Sequence, residues 1–297
     1  VKILANHVIK NNFPLAEDSK NPYKSMLKNM IKNQAKLIAF WQLTGFIHGV
    51  MNTDNCSVVG DTIDYGPCAF MDDFNPSTVF SSIDRRGRYS YKNQPLIAQW
   101  NLACLAETLV PLLNENHDNA IDIAKAELSN FQSTFESEYL KIARRKLGFF
   151  TEHPDDLQIF ASLLRIMEKN KADFTLTFRG LSSLITDKSG TDNSLYSLFP
   201  DKKELSDWIK QWTNRCLIEP QTNQERRSYL KSHNPSIIPR NHLIEKVIRS
   251  AVDEKDFVPF YNLNKALETP FNDIPHNHVY KRPPTSSEVV EKTFCGT

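Results

Sequence analysis

Residues 25–43, MLKNMIKNQAKLIAFWQLT, place apolar side chains at Leu27, Met30, Ile31, Ala35, Ile38 and Trp41. Steps of three and four residues put all six on one face of a helix. That helix runs straight into HGVMNTDNCSVVGDTIDYG (residues 48–66), a polar stretch whose glycines and turn residues interrupt any continued helix. A chain built this way must fold a helical body against an irregular segment rich in Asn and Asp. Within that segment, CSVV (56–59), GD (60–61) and TIDYG (62–66) read as a short β-hairpin with Gly60-Asp61 as its tight connection.

Beyond residue 94 helical patterns dominate. LIAQWNLACLAETLVPLL (96–113), a long pattern over 120–147, and DDLQIFASLLRIMEKN (155–170) follow in turn. Pro154 opens the third, and Asp155 and Asp156 suit its positive N-terminal end. Further helices are predicted over 201–218, roughly 241–254 and 258–268. KSGTDNS (188–194) reads as a polar loop, residues 220–240 as a long connection, and 276–297 as an extended or partly ordered tail. The fold class is predominantly α with one small β-hairpin, α+β.

Hydrophobic residues make up 40% and charged residues 24% of the 297, which suits a globular protein with a real core. A net charge of +1 argues against a role on nucleic acid or a membrane surface driven by bulk electrostatics. The row Lys24, Lys28, Lys32 and Lys36 reads as a solvated helix face. Five scattered cysteines without a CxxC pair suit a reducing compartment, the cytoplasm, or a mitochondrion if a leader precedes Val1. No uninterrupted apolar run reaches the roughly 18 residues of a membrane span. No GxGxxG or GxxxxGK[ST] phosphate loop is present.

The chemistry sits in residues 48–66. Kinase catalytic loops follow H-[RG]-D-x-x-x-x-N, and a D-F-G-like triplet comes after a short hairpin. Here His48 and Gly49 open the loop, Asn55 stands at the kinase spacing, and Asp64 begins DYG. The carbonyl of Asn55 and the carboxylate of Asp64 are hard oxygen donors of the kind that hold Mg²⁺. Val50 occupies the place of the catalytic aspartate and can neither orient nor deprotonate a hydroxyl. Asp54 is the nearby carboxylate that could act instead; read without a family, a base role and a capping role stand level. Either this is a dead kinase, or the acid/base group has moved and the transferred group has changed.

The string WQLTGFIHGVMNTDNCSVVGDTIDYGPCAFMDD is similar to the signature of the SelO (selenoprotein O, YdiU) family, protein adenylyltransferases with a pseudokinase fold. GRYSYKNQPLIAQWNL, FTLTFRGLSSL, NPSIIPRNHL and the closing YKRPP…TFCGT resemble further family blocks in family order. The resemblance implies a flipped ATP and transfer of AMP to Ser, Thr or Tyr hydroxyls of proteins. It implies Asp54 as proton acceptor, Asn55 as a Mg²⁺ ligand, and Asp64 as both Mg²⁺ ligand and nucleotide contact, with Mn²⁺ as an alternative metal. The chain also departs from the family. Phe80 stands where many relatives carry a cysteine, so a redox pairing with the C-terminal cysteine, Cys295, loses its partner.

By the same resemblance the chain looks like the C-lobe of a kinase-like fold. Residues 1–219 form the core carrying the catalytic-loop and DYG segments, and 220–297 a helical extension and tail. Only 47 residues precede His48, they read as helix, and the nucleotide-gripping N-lobe is absent from this chain. On that reading the isolated chain is inactive, with its oligomeric state left open. The alternatives are a non-catalytic interaction module and, disfavoured by Val50, a small-molecule kinase of the aminoglycoside type.

Overall fold

The computed structural model describes residues 1–185 and 194–294. The polar loop predicted at 188–194 lies almost wholly outside the described residues, as does Cys295. The described chain is mainly helical. It opens with α1 (Lys2–Asn12) and α2 (Pro22–Thr44), and a two-stranded antiparallel sheet follows, β1 (Phe46–Ile47) against β2 (Ala69–Phe70). Next come α3 (Gln94–Leu113), α4 (His117–Leu128), α5 (Asn130–Lys146), α6 (Asp156–Asn170) and α7 (Phe174–Leu184). The remainder holds α8 (Lys202–Leu217), α9 (Asn223–His233), α10 (Asn241–Arg249), α11 (Val258–Leu267) and α12 (His278–Lys281).

The spine of the N-terminal half is α2. Asn21 caps it by accepting a hydrogen bond from the Lys24 N–H, and Gly45 ends it in the left-handed conformation that helix C-termini favour. Its predicted apolar stripe is buried, Leu27, Ala35 and Ile38 completely. That stripe joins α1, α3, α4 and the start of α5 in one apolar cluster. A second cluster gathers α5 to α9, with Phe160, Phe178, Trp208 and Trp212 at its centre. The lysine row faces solvent, as expected, with Lys24 paired to Glu127 at 3.4 Å.

Four expectations need correction. The 56–66 hairpin does not form, because side chains take the carbonyls a ladder would need: Gln34 Nε2 donates to the Ser57 carbonyl at 2.5 Å and His48 Nε2 to that of Ile63 at 2.8 Å. The turn that does form spans residues 57–60, with Val58 and Val59 rather than Gly60 and Asp61 at its centre, and the sheet lies outside it at 46–47 and 69–70. The helix predicted over 120–147 breaks at Ser129, where the side chains of Ser129 and Asn130 both bond back to the Ala126 carbonyl. Residues 220–240 contain α9, started by a capping box in which Thr222 and Glu225 satisfy each other's backbone N–H groups. Finally, Tyr91–Leu113 is long and apolar enough on average to cross a membrane, with mean hydropathy 1.4, although no single run is uninterrupted. Its buried Gln94 and Asn101 donate to the carbonyls of Phe46 and Met51, so one face of it packs against β1 and the loop that follows.

Two buried ionic networks join distant segments. Asp156 accepts from Arg144 Nε at 2.7 Å and Arg215 Nε at 2.8 Å. Glu219 accepts from Arg215, from Arg226 and from the backbone of Phe150 and Thr151, tying α8 and α9 to the turn after α5. In the second network Arg240, 1% exposed, bonds both Asp72 and Asp173, the latter at 2.7 Å. Asp173 also caps α7.

Candidate active site

The loop after β1 is built outward from His48, which is fully buried. Its ring stacks on Trp41 of α2 with centroids 5.3 Å apart. Nε2 donates to the Ile63 carbonyl at 2.8 Å, and Nδ1 receives the Val50 N–H at 3.4 Å. A ring that donates from one nitrogen and accepts at the other is neutral. Burial agrees, since it pulls the His48 pKa below the ordinary imidazole value against the backbone bonds and the charge of Asp64. His48 is therefore a pin between the two halves of the motif, holding residues 48–50 against Ile63, the neighbour of Asp64.

Gly49 completes that approach. Its φ is +87°, and a Cβ there would sit 2.8 Å from the Pro67 carbonyl oxygen, so only glycine lets the loop lie against the chain just past DYG. Trp41 Nε1 donates to Thr62 Oγ1 at 2.9 Å, fixing the other end of the segment to α2. Gln94, at the start of α3, accepts from His48 N–H at 3.0 Å and donates to the Phe46 carbonyl at 2.9 Å. Asn101, two turns along, donates to the Met51 carbonyl at 3.0 Å. Tyr91 and Gln42 exchange side-chain to backbone hydrogen bonds beneath the loop.

The three predicted site residues stand on this frame. Thr53–Asn55 form one 3₁₀ turn. The Asn55 amide nitrogen donates to the Val50 carbonyl at 3.0 Å, and among the described residues its Oδ1 has no hydrogen-bond partner. Asp54 is exposed and caps nothing: among the described residues its carboxylate accepts no hydrogen bond and pairs with no cation. Asp64 is exposed and likewise makes no ion pair, and its backbone sits at φ +55°, a left-handed conformation that aspartate tolerates better than most residues. Such strain in a non-glycine residue collects at functional sites.

The Asp54 and Asp64 carboxylates and the Asn55 amide oxygen are hard donors, the type that Mg²⁺ takes together with phosphate oxygens and water. Among the described residues no three His, Cys, Asp or Glu side chains cluster to hold a metal by themselves. A cavity of about 800 Å³ opens beside DYG, walled by Trp41, Phe46, Tyr65, Phe70, Ile244 and Phe294.

Of the bracing residues, Trp41 was read only as part of the apolar stripe and Gln94 and Asn101 were not singled out, although all lie inside the quoted blocks. The blocks also meet in space. Arg240 of NPSIIPRNHL bonds Asp72 at the end of the long string and Asp173 just before FTLTFRGLSSL. Thr293 of the tail donates from its hydroxyl to the Pro67 carbonyl, and from its N–H to the Phe80 carbonyl at 2.8 Å.

Comparison with known proteins agrees with this convergence. The family model described as "Protein adenylyltransferase SelO" matches residues 1–268. A protein of Rhodopseudomonas palustris strain BisB18 named "Protein nucleotidyltransferase YdiU" is 50% identical over all 297 residues. Proteins of the same name from R. palustris strain BisB5 and from Agrobacterium fabrum are 48% and 46% identical over the same span. In each case the chain covers 60% of the relative's length.

Proposed function

The chain belongs to the SelO family of protein adenylyltransferases, and on that premise we propose that its Asp54–Asp64 site serves transfer of AMP from ATP to Ser, Thr or Tyr hydroxyls of proteins. The observation that carries the reading is the frame around His48. The Trp41 ring of α2, Gln94 and Asn101 of α3, and the carbonyl of Ile63 hold the loop, and among the described residues the side-chain oxygens of Asp54 and Asp64 and Asn55 Oδ1 have no hydrogen-bond or ion-pair partner. A fold that organises a loop so fully and leaves its oxygens free has kept them for a ligand.

In this mechanism Asp54 accepts the proton of the attacking hydroxyl. The hydroxyl oxygen forms a bond to the α-phosphorus, and the bond to the β-phosphate bridging oxygen breaks, releasing pyrophosphate. Asn55 Oδ1 and the Asp64 carboxylate would hold Mg²⁺, with Mn²⁺ as a substitute, and the metal supplies charge neutralisation on the phosphates. Val50 fits this assignment, because the proton acceptor lies four residues on. A small-molecule kinase would need that acceptor at position 50 and would transfer the γ-phosphoryl group.

The test uses the full reading frame that encodes this chain, incubated with ATP labelled at the α or the γ phosphate. Label should reach protein from the α position only, and Asp54→Ala should lower that transfer by about 10²–10⁴-fold while nucleotide affinity stays close to wild type. Transfer of γ label, or undiminished turnover with alanine at position 54, would refute the assignment. We propose that the isolated 297-residue chain is silent in the same assay. Among the described residues neither carboxylate has a cationic neighbour to offset a triphosphate.

A further inference from the structure

Residues 84–89 form an ordered turn beside the catalytic loop that the proposed chemistry leaves unused. Asp84 spends its carboxylate on the turn itself, accepting the Arg88 N–H at 2.9 Å and the Tyr89 N–H at 2.8 Å. The Asn93 side chain donates to the Gly87 carbonyl at 2.7 Å. Tyr89 then donates from its hydroxyl to Asn52 Oδ1 at 2.6 Å, two residues before Asp54. The turn is thereby clamped to the loop that carries the proton acceptor.

This turn presents Arg85, Arg86 and Arg88, all exposed, and among the described residues none of them pairs with a carboxylate. The Arg88 guanidinium lies 4.8 Å from the Trp100 ring centroid. Trp100 is 48% exposed, and Leu96, one turn earlier on the same face of α3, is 64% exposed. Three like charges within four residues repel one another, and an anionic partner relieves that repulsion. In a chain of net charge +1 the patch is a local feature, without a longer basic stripe of the kind that tracks a nucleic-acid backbone. Exposed aromatic and aliphatic side chains beside the guanidinium groups favour a polypeptide that carries acidic residues around an apolar one.

We infer that the Arg85–Arg88 turn and the Leu96–Trp100 face dock an acidic segment of the protein substrate next to the hydroxyl to be modified. The inference rests on the reading that the site acts on proteins, but binding can be measured without ATP and so fails or stands separately. The probes are a labelled peptide with one tyrosine flanked by glutamates, its glutamine counterpart, and a single-stranded oligothymidylate. Fluorescence anisotropy with the intact chain should show the acidic peptide binding at least about tenfold more tightly than the glutamine peptide. Arg85→Glu with Arg86→Glu should remove that advantage, and Arg85→Gln with Arg86→Gln should reduce it. Both double variants should keep the wild-type unfolding midpoint, because both side chains are exposed. Equal affinity for the two peptides, or an acidic-peptide affinity unchanged by charge reversal, would overturn the inference. Displacement of the peptide by a lower concentration of oligothymidylate would overturn it in favour of nucleic acid. In the transfer assay the charge reversal should raise KM for the acidic peptide and leave ATP consumption without peptide unchanged.

Discussion

Asp64→Asn should reduce AMP transfer by about 10³-fold or more while leaving the unfolding midpoint where it is. The two halves of that expectation have separate causes. Asp64 is exposed and, among the described residues, makes no ion pair, and its charge acts only at a distance on His48, which stays neutral. Its φ of +55° is a conformation that asparagine adopts as readily as aspartate, whereas a β-branched residue would add strain. On the proposed mechanism the substitution therefore removes a negative hard donor from the metal and the nucleotide and changes little else. Loss of a group that stabilises developing charge on the phosphates is worth several kcal/mol. Retained turnover in Asp64→Asn, read from α-labelled ATP under saturating Mg²⁺, would mean that the metal and nucleotide are held elsewhere.

The largest effect on stability is expected at Glu219→Ala. The Glu219 side chain is 1% exposed and holds together the turn after α5, the end of α8 and the start of α9. It accepts from Phe150 N–H at 3.0 Å, Thr151 N–H at 2.9 Å, Thr151 Oγ1 at 2.7 Å, Arg215 at 3.0 Å and Arg226 at 2.9 Å. Removing it leaves the buried Arg226 guanidinium without a carboxylate while Arg215 keeps Asp156, and breaking a buried pair from one side costs about 3–5 kcal/mol. Burial alone would push the Glu219 pKa up. The hydrogen bonds from Thr151, Arg226 and Phe150 outweigh that and hold it down to about 2. A depressed carboxylate pKa stabilises the fold fully above its unfolded value of 4.5, and that contribution drains away as pH falls from there through about 2. Urea unfolding of the wild type should thus weaken across that window, and Glu219→Ala should start lower and show a flatter acid limb. Parallel curves for the two proteins would show that the carboxylate is not a keystone of the fold.

How much of this was legible in the sequence divides along the range of the interactions. The helices were, because an apolar stripe such as Leu27, Ile31, Ala35 and Ile38 reports directly on burial. The spacing of His48, Asn55 and Asp64 was legible too, and it identified the segment that the fold braces. The hairpin was misread because its local signals were sound while its carbonyls went to Gln34 and His48, partners that strand propensity does not reveal. The start of α9 carried its own sign in Thr222 and Glu225, a capping box obscured by polar composition on both sides. Arg240 could not be paired from sequence, since Asp72 and Asp173 reach it only through the tertiary fold. The same holds for the Tyr89–Asn52 bond that carries the arginine turn to the catalytic loop.

The central claim is that Asn55 and Asp64 share one divalent cation with the phosphates of ATP. Anomalous scattering from crystals of the full reading frame grown with ATP and Mn²⁺ tests it most directly. The account predicts a manganese peak within about 2.1–2.3 Å of Asn55 Oδ1 and of an Asp64 carboxylate oxygen, with the α-phosphate facing Asp54. A nucleotide-bound manganese that touches neither side chain would contradict it.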